Sequence, residues 1–468
     1  MSASLTFMGA AQNVTGSRHL LEVDGLRVLV DCGLYQEREL RARNWDVSPL
    51  SPRDLDAVLL THAHLDHCGI LPKLVREGFR GPVYCTAATA EIAQLMLLDA
   101  AHLQEEDADF KRRRHQREGH RGPYPEVPLY TVADARQSFS HFSTVRYGQR
   151  FQVGDGIEAT FFDAGHVLGS SMVLVKVRAN GANRTVLFSG DIGRWDHPIL
   201  NDPTLFEEAD YVLMESTYGD SLHQDPQSID DMLAEVVNST RQAGGNIVIP
   251  SFALERSQDL LYYLNRLLKA DRIPHLMVFV DSPLATDITQ VYQRHPELLD
   301  EEMTELLGRG QSPFDFPGLT MVTSAGASKA INHISGTVII IAGSGMCTGG
   351  RIKHHLVNNI SRPGSAILFV GYQAVDTLGR QILDGAPVVR ILGQMYEVRA
   401  RIVQIHGFSA HADREELLRW VSAIRKAPRG LFVVHGEPTA ARSFAGLLKE
   451  RLGWQAIVPA YRDRADLA

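Results

Sequence analysis

An α/β protein of two or three domains is the fold class that this sequence predicts, and three observations predict it. The chain has 468 residues, more than one ordinary hydrophobic core organises. Short apolar strand candidates alternate with amphipathic helix candidates along it, with no obvious repeat or low-complexity tract. A cluster of metal-competent side chains, Thr61-His62-Ala63-His64-Leu65-Asp66-His67, stands directly behind the apolar run Ala57-Val58-Leu59-Leu60.

The elements follow in chain order. Residues 4–8, 19–23 and 27–30 read as neighbouring strands joined by Gly-rich or Asp-Gly turns, and a helix is expected over 68–77 behind the histidine cluster. Further strands are expected at 158–162, 171–177 and 185–189. From about Tyr211 the texture becomes strand then amphipathic helix: 246–250 precedes 257–270, and 277–280 precedes 285–295. That alternation is the pattern of a parallel α/β unit. Residues 338–342, 366–370 and 431–434 supply later strands.

Composition narrows the class. A hydrophobic fraction of 44% with 22% charged residues belongs to a soluble globular chain. No apolar run approaches the roughly 20 residues of a membrane span, and the first residues lack the basic and apolar regions of a signal peptide. A cytoplasmic protein without membrane partners is expected. Cys32, Cys68, Cys85 and Cys347 are scattered without CxxC spacing, which argues against a thiolate zinc site and against a disulfide framework. With a formal net charge of -8, any contact with nucleic acid must come from local clusters or bound cations. The one dense basic run, Lys111 to Arg117, reads as a solvated helix face.

The chemistry begins with His62-x-His64-x-Asp66-His67. Three imidazoles and a carboxylate crowded at a strand end repel when charged and lack partners when buried, and one or two divalent cations satisfy all four. Spacings of two and one do not share a helix face, so they suit a loop that aims its ligands at two centres. His166, between glycines, and Asp191, just after a strand, have the same look. Each alone is ordinary turn chemistry.

In this order the motifs resemble the metallo-β-lactamase superfamily, and within it the β-CASP ribonucleases, the branch of the cleavage-and-polyadenylation endonuclease and RNase J. The further matching segments are Met214-Glu215-Ser216-Thr217-Tyr218-Gly219, Gly407-Phe408-Ser409-Ala410-His411-Ala412-Asp413 and Val433-Val434-His435-Gly436-Glu437. The resemblance implies a metallo-β-lactamase αββα sandwich with an inserted parallel α/β domain: residues 1–210 and 395–468 form the metal domain and 211–394 the insertion. It implies two zinc ions, one on His62, His64 and His166, the other on Asp66, His67 and His435, with Asp191 bridging. Asp31 would orient the metal loop from behind. His411 would be the general acid and Glu215 its support, and with Asp66 they are the residues assigned to catalysis. His406 falls outside the Ser-Ala-His triplet and is read as peripheral.

The expected substrate is single-stranded RNA, admitted by a groove between the domains and cut by hydrolysis to a 5′-phosphate and a 3′-hydroxyl. Endonuclease action is expected, the motifs leave open whether 5′-to-3′ exonuclease action accompanies it, and a homodimer is an assembly this reading allows. The segment 341–351 has glycines whose backbone N–H groups can approach a phosphate, so Ser344, Gly345, Gly349 and Arg351 are read as RNA contacts. Ser251 and Arg256 resemble another backbone-contact segment, with Ser251 as a helix N-cap the alternative. Lys329 and Lys353 add local positive charge. A DNA-repair nuclease of the same superfamily and a non-catalytic RNA-binding subunit are the competing functions.

Overall fold

The computed structural model describes residues 3–45, 51–119, 126–179, 182–223 and 229–467. The chain divides into two compact units, Met1–Leu222 with His411–Ala468, and His223–Ala410.

The first unit is built on two sheets. One has seven strands in the order Arg464–Asp466, Ala3–Phe7, His19–Val23, Leu26–Val30, Ala57–Leu59, Val83–Cys85 and Phe142–Thr144. The other has six: Gly430–Val433, Tyr211–Met214, Ala182–Phe188, Ser171–Ala179, Ile157–Asp163 and Arg150–Gly154. Alternation turns Leu5, Leu21, Val28 and Leu59 of the first sheet toward Phe161, Val175, Val186 and Phe432 of the second, in one buried core. The other face of the second sheet, with Met172, Leu187, Val212 and Val433, packs on Leu417 and Trp420 of the helix Arg414–Ser422 and on Phe444 and Leu448 of the helix Pro438–Leu452.

The second unit carries a sheet whose paired strands are all parallel: Leu319–Met321, Met277–Asp281, Val338–Ala342, Ile247–Pro250, Ala366–Phe369 and Arg401–Gln404. Val338–Ala342 and Ile247–Pro250 are buried throughout, as central strands covered on both faces must be.

Three expectations are corrected. The domain limits expected at Tyr211 and Gln394 shift, because Tyr211–Met214 pairs in parallel with both Ala182–Phe188 and Gly430–Val433 of the first unit. Arg401–Gln404 pairs with Ala366–Phe369 and so belongs to the second. The helix expected over 68–77 is two short helices, Leu65–Cys68 and Leu71–Arg76, broken at Gly69 and Ile70 before Pro72, whose missing N–H is harmless only in a first turn. The basic run lies on the helix Ala87–Glu118, where Lys111, Arg112 and Arg114 pair with acidic residues one turn away. Among the described residues no helix is long and apolar enough to cross a membrane.

Candidate metal centre

The histidine motif leaves the first sheet at Leu59, and main-chain bonds hold it from behind. Ser17 N donates to Asp66 O at 2.8 Å, Cys32 N to His67 O at 2.7 Å and Leu34 N to Leu65 O at 2.8 Å. The approach is so close that a Cβ at Gly33 would stand 1.6 Å from Asp66 O, so only glycine fits there. The loop is thus shaped by backbone before any ligand is considered.

Asp31 sets the orientation of the motif. Its backbone is left-handed, with φ 61°. Oδ1 accepts from Thr61 N and from Thr61 Oγ1, both at 2.9 Å, and Oδ2 faces His67 Nδ1 at 2.7 Å. With Nδ1 held by the carboxylate, His67 turns Nε2 toward Asp191 and His435. Burial resists the charge on Asp31, but His67 and the Thr61 hydrogen bonds outweigh it and lower the carboxyl pKa. Asp31→Asn should weaken metal binding about 10- to 100-fold with the fold retained; titration of the apoprotein with zinc against a competing chelator measures it, and an unchanged affinity would show that Asp31 is only a turn residue.

Two groups of donors converge: His62, His64, His166 and Asp191 in one, and Asp66, His67 and His435 in the other. In the first, His64 Nδ1 lies 3.1 Å from His62 Nε2 and 3.3 Å from His166 Nε2. In the second, His67 Nε2 and His435 Nε2 are 3.0 Å apart, and His435 Nε2 is 3.6 Å from Asp66 Oδ2. Asp191 stands between the groups. Its Oδ2 is 3.4 Å from His62 and 3.5 Å from His166, and its Oδ1 is 3.3 Å from His67 and 3.6 Å from His435.

Electrostatics separates the groups. Burial, then neighbouring imidazoles, pushes His64 down to about 3, and burial lowers His62 and His166 as well, so the first group is a set of neutral nitrogens. Burial also opposes charge on His67 and His435, but Asp191 overcomes it, joined by Asp31 for His67 and by Asp66 for His435, and both are raised. Asp191 Oδ1 is buried without a hydrogen-bond partner, and ring nitrogens point at ring nitrogens rather than at acceptors. Buried lone pairs so arranged are stabilised by cations, and the donor set of imidazole and carboxylate suits a borderline-soft divalent ion. The residues fit such ions.

Two of the donors, His166 and His435, come from the second sheet and beyond. His166 N donates to Ser170 Oγ at 3.1 Å behind Gly165, and His435, with φ 50°, donates its N–H to Ala10 O at 2.7 Å. Glu215 follows the strand Tyr211–Met214 and is fully buried. Its Oε1 accepts from Ile192 N at 2.7 Å and lies 3.0 Å from His411 Nδ1, while Oε2 accepts from Thr217 N at 3.2 Å. His411 Nε2 is left facing Asp191 Oδ2 at 4.0 Å. Burial works against its charge, but Glu215 and then Asp191 raise it to about 9, so it is protonated at neutral pH.

Residues 20–214 match the metallo-beta-lactamase superfamily domain, 257–382 the Beta-Casp domain, and 395–459 the Zn-dependent metallo-hydrolase RNA specificity domain. Ribonuclease TTHA0252 of Thermus thermophilus is 40% identical over 95% of this chain and 95% of its own length. This chain belongs to the β-CASP family of the metallo-β-lactamase superfamily. Transcription termination factor FttA of Methanocaldococcus jannaschii is 30% identical over 97% of this chain and 70% of its own. A solved protein of unknown function from Enterococcus faecalis V583 shares the fold, with a TM-score of 0.58 at 13% identity and full coverage of both chains. The matched metallo-beta-lactamase and Zn-dependent metallo-hydrolase domains indicate divalent metal binding.

The RNA contacts expected in the second unit are placed differently from one another. Arg351 is spent inside the unit: Nη1 lies 2.6 Å from Asp281 Oδ1 and 3.0 Å from Val322 O, and Nη2 lies 2.8 Å from Thr323 O. Its expected pairing with phosphate is therefore corrected. Ser344 Oγ accepts from Thr348 N at 3.1 Å and Gly349 N at 3.3 Å, so the loop's own hydroxyl takes N–H groups that a phosphate would need. Gly345 serves packing, since a Cβ there would meet the Phe252 ring at 2.8 Å. Ser251 is not a cap: its hydroxyl lies 3.0 Å from Phe252 O and 3.1 Å from Ser257 Oγ, and the helix Arg256–Lys269 begins behind Glu255. Arg256 is buried, with Nη2 3.2 Å from Glu255 and with Nε and Nη1 unpartnered among the described residues. Lys329 and His406 are exposed.

Sequence reasoning passed over Thr61, which carries Asp31 toward the motif, and Thr217, whose Oγ1 is 3.2 Å from His435 Nδ1. Both stand inside segments already singled out, and a hydroxyl flanking a ligand was the available signal.

Proposed function

We propose that this protein is a zinc-dependent ribonuclease that hydrolyses phosphodiester bonds of single-stranded RNA in RNA processing or decay. The observation that carries the reading is Asp191, set between two donor groups with the Glu215–His411 pair at its edge. The match to an RNA specificity domain, the ribonuclease name of one relative and the termination-factor name of others support RNA as the substrate.

His62, His64 and His166 would hold one zinc, Asp66, His67 and His435 the other, and Asp191 both. Two such ions supply an activated water nucleophile and charge neutralisation for the attacked phosphate. The remaining work belongs to the chain. His411, protonated and held through Nδ1 by Glu215, presents Nε2 to the leaving oxygen and gives it a proton. When that oxygen is O3′, the products carry a 3′-hydroxyl and a 5′-phosphate. Asp31 and Thr61 keep the His67 ring aligned throughout. In the second unit the exposed Lys329 would supply positive charge for the RNA backbone, whereas Arg256 is buried beside Glu255.

The test is cleavage of matched end-labelled and internally labelled oligomers of single-stranded RNA, duplex RNA and DNA by the zinc-loaded protein. Single-stranded RNA should be cut fastest, with 5′-phosphate ends, and a mid-chain product would mark endonuclease action. Equal cutting of DNA would move the chain to the repair nucleases. Tight RNA binding with no cutting would make it a binding subunit.

A further inference from the structure

We infer that a pocket beside the metal centre, walled by Gln12, Asn13, Leu40, Arg43 and Tyr461, is a subsite for one nucleobase and favours guanine. The inference rests on the ribonuclease reading for its source of nucleotides. The pocket belongs wholly to the first unit and has a volume of about 220 Å³. That is many times the roughly 10–15 Å³ that a single water needs, and ample for a planar base.

Its walls are built for a flat polar ligand. The Arg43 guanidinium lies 4.1 Å from the Tyr461 ring centre and 5.4 Å from that of Tyr35, so two aromatic rings fix its plane. Among the described residues no carboxylate pairs with it. Asn13 is 7% exposed. Its Nδ2 donates to Thr15 O at 2.6 Å and to Glu37 Oε1 at 3.3 Å, which sets the orientation of the amide. Oδ1 is left buried with no partner. A buried acceptor without a donor costs free energy unless a ligand or water supplies one.

The backbone points the same way. Ala10 and Gln12, neither of them glycine, adopt φ 46° and 60° on either side of Ala11. Left-handed residues of this kind persist where surrounding structure or function requires them. Ala10 O accepts the N–H of the ligand His435 at 2.7 Å. The wall of the pocket is therefore the next few residues of the bend whose Ala10 carbonyl holds His435, within about 4 Å of chain per residue. A base held there belongs to a nucleotide close to the reacting phosphate.

The ligand chemistry follows from donors and acceptors. Arginine offers paired N–H donors that match O6 and N7 of guanine, and Asn13 Oδ1 accepts from a base N–H. Guanine presents both kinds of group; uracil has no N7, and adenine presents an amino group where guanine has O6. In single-stranded RNA both edges of a base are open to such contacts.

The full-length zinc-loaded chain should be titrated with GMP, AMP and UMP, and its cleavage sites mapped on RNA tracts of uridine containing one G, A or C. GMP should bind about tenfold more tightly than UMP, since one bidentate base contact discriminates by about 1–3 kcal/mol. Cuts should cluster at a fixed distance from the single G. Arg43→Ala and, independently, Tyr461→Leu should erase the binding preference while the protein keeps its zinc. Equal binding of the three nucleotides, or an Arg43→Ala protein with the wild-type preference, would overturn the subsite. If no RNA is cut at all, the ribonuclease reading fails, and the nucleotide titration still decides the pocket.

Discussion

Asp191→Asn should empty the metal centre and reduce RNA cleavage by on the order of 10³-fold or more, the largest effect expected of any single substitution. The carboxylate is 2% exposed and lies within 3.3–3.6 Å of four imidazole nitrogens, two from each donor group. Burial alone would raise its pKa, yet the surrounding histidines, His435 and His67 foremost, hold it well below the usual carboxylate range. It is therefore an anion across the physiological range, and an amide of the same shape removes the one charge common to both groups. Elemental analysis of the purified variant should find fewer than the wild-type number of ions, and the rate measurement should follow. A variant that keeps its metal and its rate would dismiss Asp191 as the shared ligand.

His411→Ala is expected to lower cleavage by about 10²–10⁴-fold without loss of metal, the range typical of a removed general acid. The pair of readouts matters, since a fall in both rate and metal would make His411 a ligand. The acid must be protonated to act. With its pKa raised to about 9, the competent form is present below that pH and is lost as pH rises through it, so activity has a basic limb there. Glu215 is the strongest group opposing burial of that charge, and its Oε1 touches the ring at 3.0 Å. Glu215→Gln should therefore move the basic limb to lower pH and cut the rate at neutrality. A limb that stays in place in Glu215→Gln would detach this histidine from the pH profile.

The metal centre was readable because its densest part is local. Four ligands within six positions cannot be reconciled with an ordinary loop, whatever the rest of the chain does. The central strands were equally readable, since residues 338–342 are continuously apolar and burial on both faces demands that. What failed depended on partners far away in the chain. Tyr211–Met214 looks like the start of the inserted unit, but its place is set by pairing with Gly430–Val433, more than 200 residues later. Arg351 looked available to phosphate because nothing nearby neutralises it, whereas its partner Asp281 lies 70 residues upstream. Ser251 stands where a cap is plausible, and the additional turn through Glu255 before the helix leaves no trace in composition. Side-chain pairing across a fold is decided by topology, which local pattern does not encode.

His411 and His435 come from the final stretch of the first unit, more than 200 residues after Asp191. A chain still being made on the ribosome holds the early histidines and Asp191 but has neither His411 nor His435. By the order of its own residues, then, the proposed centre is complete only once residue 435 has been joined and folded back against Ala10.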